Sequence, residues 1–148
     1  MHKKFRGKSV HGFRLMFEVG LQEDALPSLK SSLNTDLSVL DSLLPIHIKH
    51  KLQSDTSIYV CASTKEEVTV SRYHPKVCKT FPGSITISAA RYLQFRLCWG
   101  DGAVLVHEFA HAVHDKLIPS GFACEIIEKV GENVNVARVT SFTCSVSR

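Results

Sequence analysis

Apolar and polar positions change period several times along this chain, and each change marks an element. Residues 11–19 (HGFRLMFEV) alternate as a half-buried strand does, and Gly20 breaks the pattern. Between Asp24 and Leu44 the leucines fall at 26, 29, 33, 37, 40 and 44. Steps of three and four put all six on one face of a helix, with Pro27 suited to its first turn and Pro45 as its stop. The stripe is short for a coiled-coil seam and is expected to pack on a sheet. Residues 46–52 continue as a short helix, with Ile48 and Leu52 one turn apart. Its His47 and His50 lie among lysines, without a third ligand near in sequence, and read as solvated surface.

A short apolar run at 57–62 (SIYVCA), a polar turn at 65–67 and alternation at 68–70 together predict a hairpin. Tyr73-His74-Pro75 opens a loop that Pro82-Gly83 closes. Residues 84–88 (SITIS) alternate again, and Ser88 is placed to cap a helix through Tyr92, Leu93, Phe95 and Leu97. Residues 103–116 (AVLVHEFAHAVHDK) form the last clear helix, with Asp101 as its expected N-cap and Pro119-Ser120-Gly121 beyond its end. Residues 122–130 suggest one more helix, and from Asn133 the pattern dissolves into a Ser/Thr-rich tail. The expectation is an α+β fold: a small mixed or antiparallel sheet with the 103–116 helix packed against it. It divides into a basic arm at 1–9, one domain over 10–132 and a polar tail at 133–148.

Composition narrows the class. With 148 residues, 44% hydrophobic and 22% charged, the chain fits one soluble globular domain. No stretch approaches the ~18–20 apolar residues of a membrane span. The basic N-terminus has no apolar run after it, so no secretory signal is read and an intracellular, cytoplasmic location is expected. The net charge is +4, and Lys3, Lys4, Arg6 and Lys8 crowd its start. A solvated arm explains them more simply than contact with an acidic partner, and no basic stripe or finger spacing points to nucleic acid. Cys61, Cys78, Cys98, Cys124 and Cys144 are odd in number and widely spaced, which fits reduced thiols rather than a disulfide framework or a thiolate zinc site.

The chemistry concentrates in His107-Glu108-Phe109-Ala110-His111, an HExxH motif. Residues four apart stand one turn above each other on a helix, so both imidazoles can reach one metal ion, Zn2+, at ~2.0–2.1 Å. Glu108, rotated by about 100° from His107, falls beside such an ion and can move a proton from water to a leaving amine. With eight His among 148 residues, and Glu equally frequent, chance would produce the motif about 0.02 times. The apolar run Ala103–Val106 before it further favours a buried active-site helix. A third ligand is less evident. His114 is seven residues, ~10.5 Å of helix rise, beyond His107. The metzincin spacing is excluded because His114 and Leu117 stand where it needs Gly and His. Glu125, Glu128 and Glu132 are the remaining options, each in poor or interrupted helical context.

The segment VLVHEFAHAVHD resembles the HELAHAYHD-type motif of small zincin domains related to the catalytic domain of anthrax lethal factor. The likeness extends through the YHP segment at 73–75, the ITIS strand and the leucine-rich helix, over residues 10 to about 130. It implies a zincin-like fold with His107 and His111 as zinc ligands and Glu108 as general base. It also implies a third ligand, a glutamate, on a helix within a longer C-terminal segment. This chain ends 37 residues after His111, so a domain truncated before that helix is expected. The implied function is a zinc-dependent metallopeptidase that hydrolyses peptide bonds through a zinc-activated water. Its partner is a peptide or protein substrate, held by β-addition along an edge such as residues 85–87, with no nucleic acid and no membrane. The alternative is a catalytically impaired, truncated zincin that serves as a weak zinc-binding or protein-interaction module.

Overall fold

The computed structural model describes residues 4–21, 23–62 and 70–118. They form five strands and four helices: β1 (Phe5–Val10), β2 (Phe13–Glu18), α1 (Leu26–Leu43), α2 (Ile46–Asp55), β3 (Ser57–Cys61), β4 (Ser71–His74), β5 (Ser84–Ser88), α3 (Ala89–Trp99) and α4 (Ala103–Leu117). A 3-10 turn, Glu23–Ala25, leads into α1. The sheet order is β1-β2-β3-β5-β4. β2, β3 and β5 run parallel, and β1 and β4 close the edges antiparallel to their neighbours. The fold is thus α+β with a mixed sheet, and no described helix is long and apolar enough to cross a membrane.

Alternation writes the sheet directly. Phe13, Leu15 and Phe17 of β2, Ile58 and Val60 of β3, and Ile85 and Ile87 of β5 face one core. The leucine stripe meets them there: Leu29, Leu33, Leu37 and Leu40 are fully buried, and Leu26 and Leu44 pack against the same cluster. Leu105, Phe109 and Ala112 bring α4 into that core, with Phe109 edge-on to Phe13 at 5.3 Å between ring centres.

Several expectations are corrected. Residues 5–9, read as part of a solvated arm, belong to an edge strand, Phe5–Val10. Phe5 packs edge-on against Tyr59 and Phe81, and Val10 packs on the core, so both ends are anchored. Arg6 and Lys8 suit an edge, where charge discourages pairing with another chain. His11 and Gly12 are a turn rather than strand, both with positive φ (49° and 79°), as a tight hairpin requires. Tyr73 and His74, expected to open a loop, belong to β4. The expected edge at residues 85–87 is interior, because β4 pairs outside β5. Ser88 stands before α3 without a side-chain capping bond. Asp101 does not cap α4 either: its carboxylate pairs with Arg96 at 2.9 Å, and Gly102 is the N-cap. The 122–130 helix, the polar tail and the 65–67 turn lie outside the described residues.

Candidate metal and general-base site

α4 presents three faces with three tasks. Leu105, Phe109 and Ala112 enter the core. Glu108 and Asp115, seven residues apart and so on one face, turn to β4. His107 and His111 form the third pair. Their Nε2 atoms lie 3.0 Å apart, with ring centres separated by 4.7 Å and planes at 85°. That separation lets both nitrogens lie ~2.0–2.1 Å from one point, so the donor pair fits a zinc ion. His107 is buried, at 8% exposure, whereas His111 opens to solvent, so such an ion would be held on one side and reachable on the other.

The electrostatics keep the imidazoles neutral. Burial, and secondarily His111, lower the His107 pKa to about 4. Burial and the nearby His114 lower that of His111. Neutral rings offer the lone pairs a metal needs. Glu108 is 4% exposed, and burial raises its pKa to about 7. The Ser71 hydroxyl, which donates to Oε1 at 2.8 Å, the Tyr73 amide and the Arg72 charge pull against that rise. A carboxyl group near neutrality is suited to accepting and returning a proton.

β4 is fastened to α4 at a second level. The Tyr73 hydroxyl donates to Asp115 Oδ2 at 2.8 Å, and the Lys76 amide donates to the same oxygen at 3.0 Å. Burial and the Asp115 partnership hold the Tyr73 hydroxyl well above its ordinary pKa.

The structure therefore brings together His107, Glu108 and His111. Among the described residues no third His, Cys, Asp or Glu joins them in a metal-binding cluster. His47 and His50 are exposed on α2, outside the site. Glu125, Glu128 and Glu132 lie outside the described residues. Ser71 and Asp115 are the contributors that residue reading passed over. The i, i+7 spacing of Glu108 and Asp115 was an available signal for a shared face. Ser71 had none, since its role depends on which strand lies beside α4. Comparison with protein-family models, curated proteins and solved structures finds no match for this chain.

Proposed function

We propose that this chain is a zincin-like, zinc-dependent metallopeptidase. The observation that carries the reading is the convergence of two neutral imidazole nitrogens, 3.0 Å apart, with a buried carboxyl group on the adjacent residue. His107 and His111 would hold the metal. When bound, zinc supplies Lewis-acid activation of water and of the scissile carbonyl. Glu108 accepts the proton of the attacking water and delivers it to the leaving amine, a transfer matched to a pKa near 7. Leu105 and Phe109, on another face of α4, root the helix in the core and so hold the pair in place. An extended substrate would add to the sheet at β4, the edge nearest α4, where backbone groups give affinity and side chains give selectivity.

A second reading is a zincin-like module that binds zinc weakly, or a protein partner, without turnover. It draws on the donor set of the described residues, two histidines, since catalytic zinc ordinarily has three protein ligands. One experiment separates the two. Metal content is measured for the wild type, His107→Ala, His111→Ala and Glu108→Gln, alongside cleavage of a mixed peptide library. The peptidase reading expects stoichiometric zinc that either histidine variant loses. It also expects chelator-sensitive cleavage that Glu108→Gln abolishes while keeping its zinc. Zinc without cleavage in the wild type supports the second reading. Zinc binding unchanged in both histidine variants defeats both.

A further inference from the structure

Two hydroxyl-to-carboxylate bonds join β4 to α4. Ser71 Oγ donates to Glu108 Oε1 and the Tyr73 hydroxyl to Asp115 Oδ2, each at 2.8 Å. Ser71 and Tyr73 stand two apart on the strand and share one face; Glu108 and Asp115 stand seven apart on the helix. The rises differ, about 6.8 Å along the strand and about 10.5 Å along the helix. The long Tyr73 side chain spans the excess, and the short Ser71 side chain meets Glu108 directly. The two bonds hold different things. Asp115 lies near the end of α4 and is partly exposed, so its bond fastens strand to helix. Glu108 is buried and adjoins His107, so its bond fixes the carboxyl group of the proposed base. Ser71 suits that task. Its backbone is set opposite Ile87 in the β4–β5 ladder, and serine has one side-chain carbon–carbon torsion where glutamate has three. A stiff donor thus fixes a flexible acceptor.

We infer that Ser71 is the positioning residue of the base: its hydroxyl holds the Glu108 carboxyl group in one orientation, so that proton transfer needs no search by the side chain. The catalytic use of that orientation rests on the peptidase reading; the hold on Glu108 does not. Orientation matters because a misplacement of about 1 Å at a reacting group can cost about a hundredfold in rate. Ser71 acts through Glu108, so its effect falls on kcat and spares metal and substrate binding.

The test uses the full chain. In the metal-free state, NMR of selectively labelled glutamate reads the γ-methylene protons of Glu108, identified by their loss in Glu108→Gln. A held side chain gives the pair separate shifts, and rotamer averaging merges them. Separate shifts are expected in wild type and in Ser71→Thr, which keeps the hydroxyl, and merged shifts in Ser71→Ala. With zinc added, the peptide cleaved fastest in the mixed library gives kcat and KM. Ser71→Ala should lower kcat about tenfold or more, with KM and zinc content changed less than about twofold. Ser71→Thr should recover most of that loss. Ser71→Cys, a weak donor of similar shape, decides the matter by the same readings if Ser71→Ala does not fold. Separate Glu108 shifts that persist in both the Ala and Cys variants overturn the inference, as do merged shifts in wild type or a kcat unchanged in both variants. Wild type that does not cleave, with the methylene pattern as expected, removes the peptidase reading and leaves the hold of Ser71 on Glu108 standing.

Discussion

The two ends of α4 are held by opposite charges in unequal surroundings. At the N-terminal end the anchor is an anion, Asp36 of α1, at 1% exposure. It accepts from the Tyr92 hydroxyl at 2.5 Å, from Arg96 Nε at 3.0 Å and from the Gly102 amide at 2.8 Å. At the C-terminal end the anchor is a cation, Lys116. Its ammonium donates to the Asp55 and Gly83 carbonyls, Asp55 Oδ1 and Thr56 Oγ1, at 2.7–3.1 Å. Each sign suits the partial charge of its helix end. The environments differ more than the bonds do. Asp36 is enclosed, so its bonds act in a low dielectric and its loss leaves buried donors unpaired. Of the Lys116 acceptors, Thr56 and Gly83 are buried but Asp55 is 41% exposed, so water can replace the ammonium in part. One end therefore holds the helix among the other helices and governs stability. The other holds it against the strand beginnings and β4, and governs the geometry around His107, Glu108 and His111.

The largest effect is expected at Asp36. Asp36→Ala should cost about 3–5 kcal/mol, the range for breaking a buried charged partnership from one side. Urea unfolding with an unchanged slope would measure it, and a loss below about 1 kcal/mol would remove the hub from the account. Lys116→Met comes next, at about 1–3 kcal/mol, because its bonded acceptors regain water only in part. If Lys116→Met proved the costlier of the two, the ranking of the ends would be reversed.

The comparison also explains what could be read in advance. The leucine stripe, SITIS and the HExxH helix carried their own periodicity, and each lies where that periodicity placed it. The HExxH histidines share a face by spacing alone, so their convergence needed no tertiary knowledge. Asp36 was illegible: it is one polar residue between Leu33 and Leu37, and its donors lie 56 to 66 residues away. Asp101 was chosen as the cap for its position before the helix. The Gly102 amide is instead satisfied by Asp36, which leaves Asp101 to pair with Arg96. β1 was obscured because its charges suggested solvent, although an edge strand accommodates charge equally well.

Tyr92→Phe tests the anion end more gently. It removes one donor while Arg96 and Gly102 remain, so a loss of about 1–2 kcal/mol is expected near neutrality. It should also change the alkaline limb. Burial, and then Asp36, raise the Tyr92 pKa well above 10.0. The fold therefore favours the protonated hydroxyl. That stability is fully present below pH 10.0, the unfolded value, and is lost as pH rises through the folded one. Replacing the hydroxyl should flatten that decline, and an alkaline limb as steep as wild type would assign it to another group.

The smallest stability effect is expected at Asp115, and it is the one that sharpens the comparison most. Burial alone would raise its pKa, but the Lys76 amide, the Tyr73 hydroxyl and the Lys76 and Lys116 charges outweigh it and hold it below 3.8. A lowered carboxylate contributes above its unfolded pKa of 3.8, and the contribution is lost as pH falls through the folded value. Asp115 is partly exposed, so solvent screening keeps the increment of Asp115→Asn below about 1 kcal/mol. Wild type and variant should accordingly differ slightly at pH 7 and converge in acid. Function should respond out of proportion. Asp115 holds Tyr73, and Tyr73 lies on the strand that presents Ser71 to Glu108. Loosening it shifts β4 against α4 without exposing core. A Tyr73 amide that exchanges several-fold faster in Asp115→Asn, with urea stability nearly intact, is the expected pattern. Should exchange at Tyr73 change only as much as global stability does, the C-terminal end would be one more stabilising contact, and the division of labour between the two ends of α4 would fail.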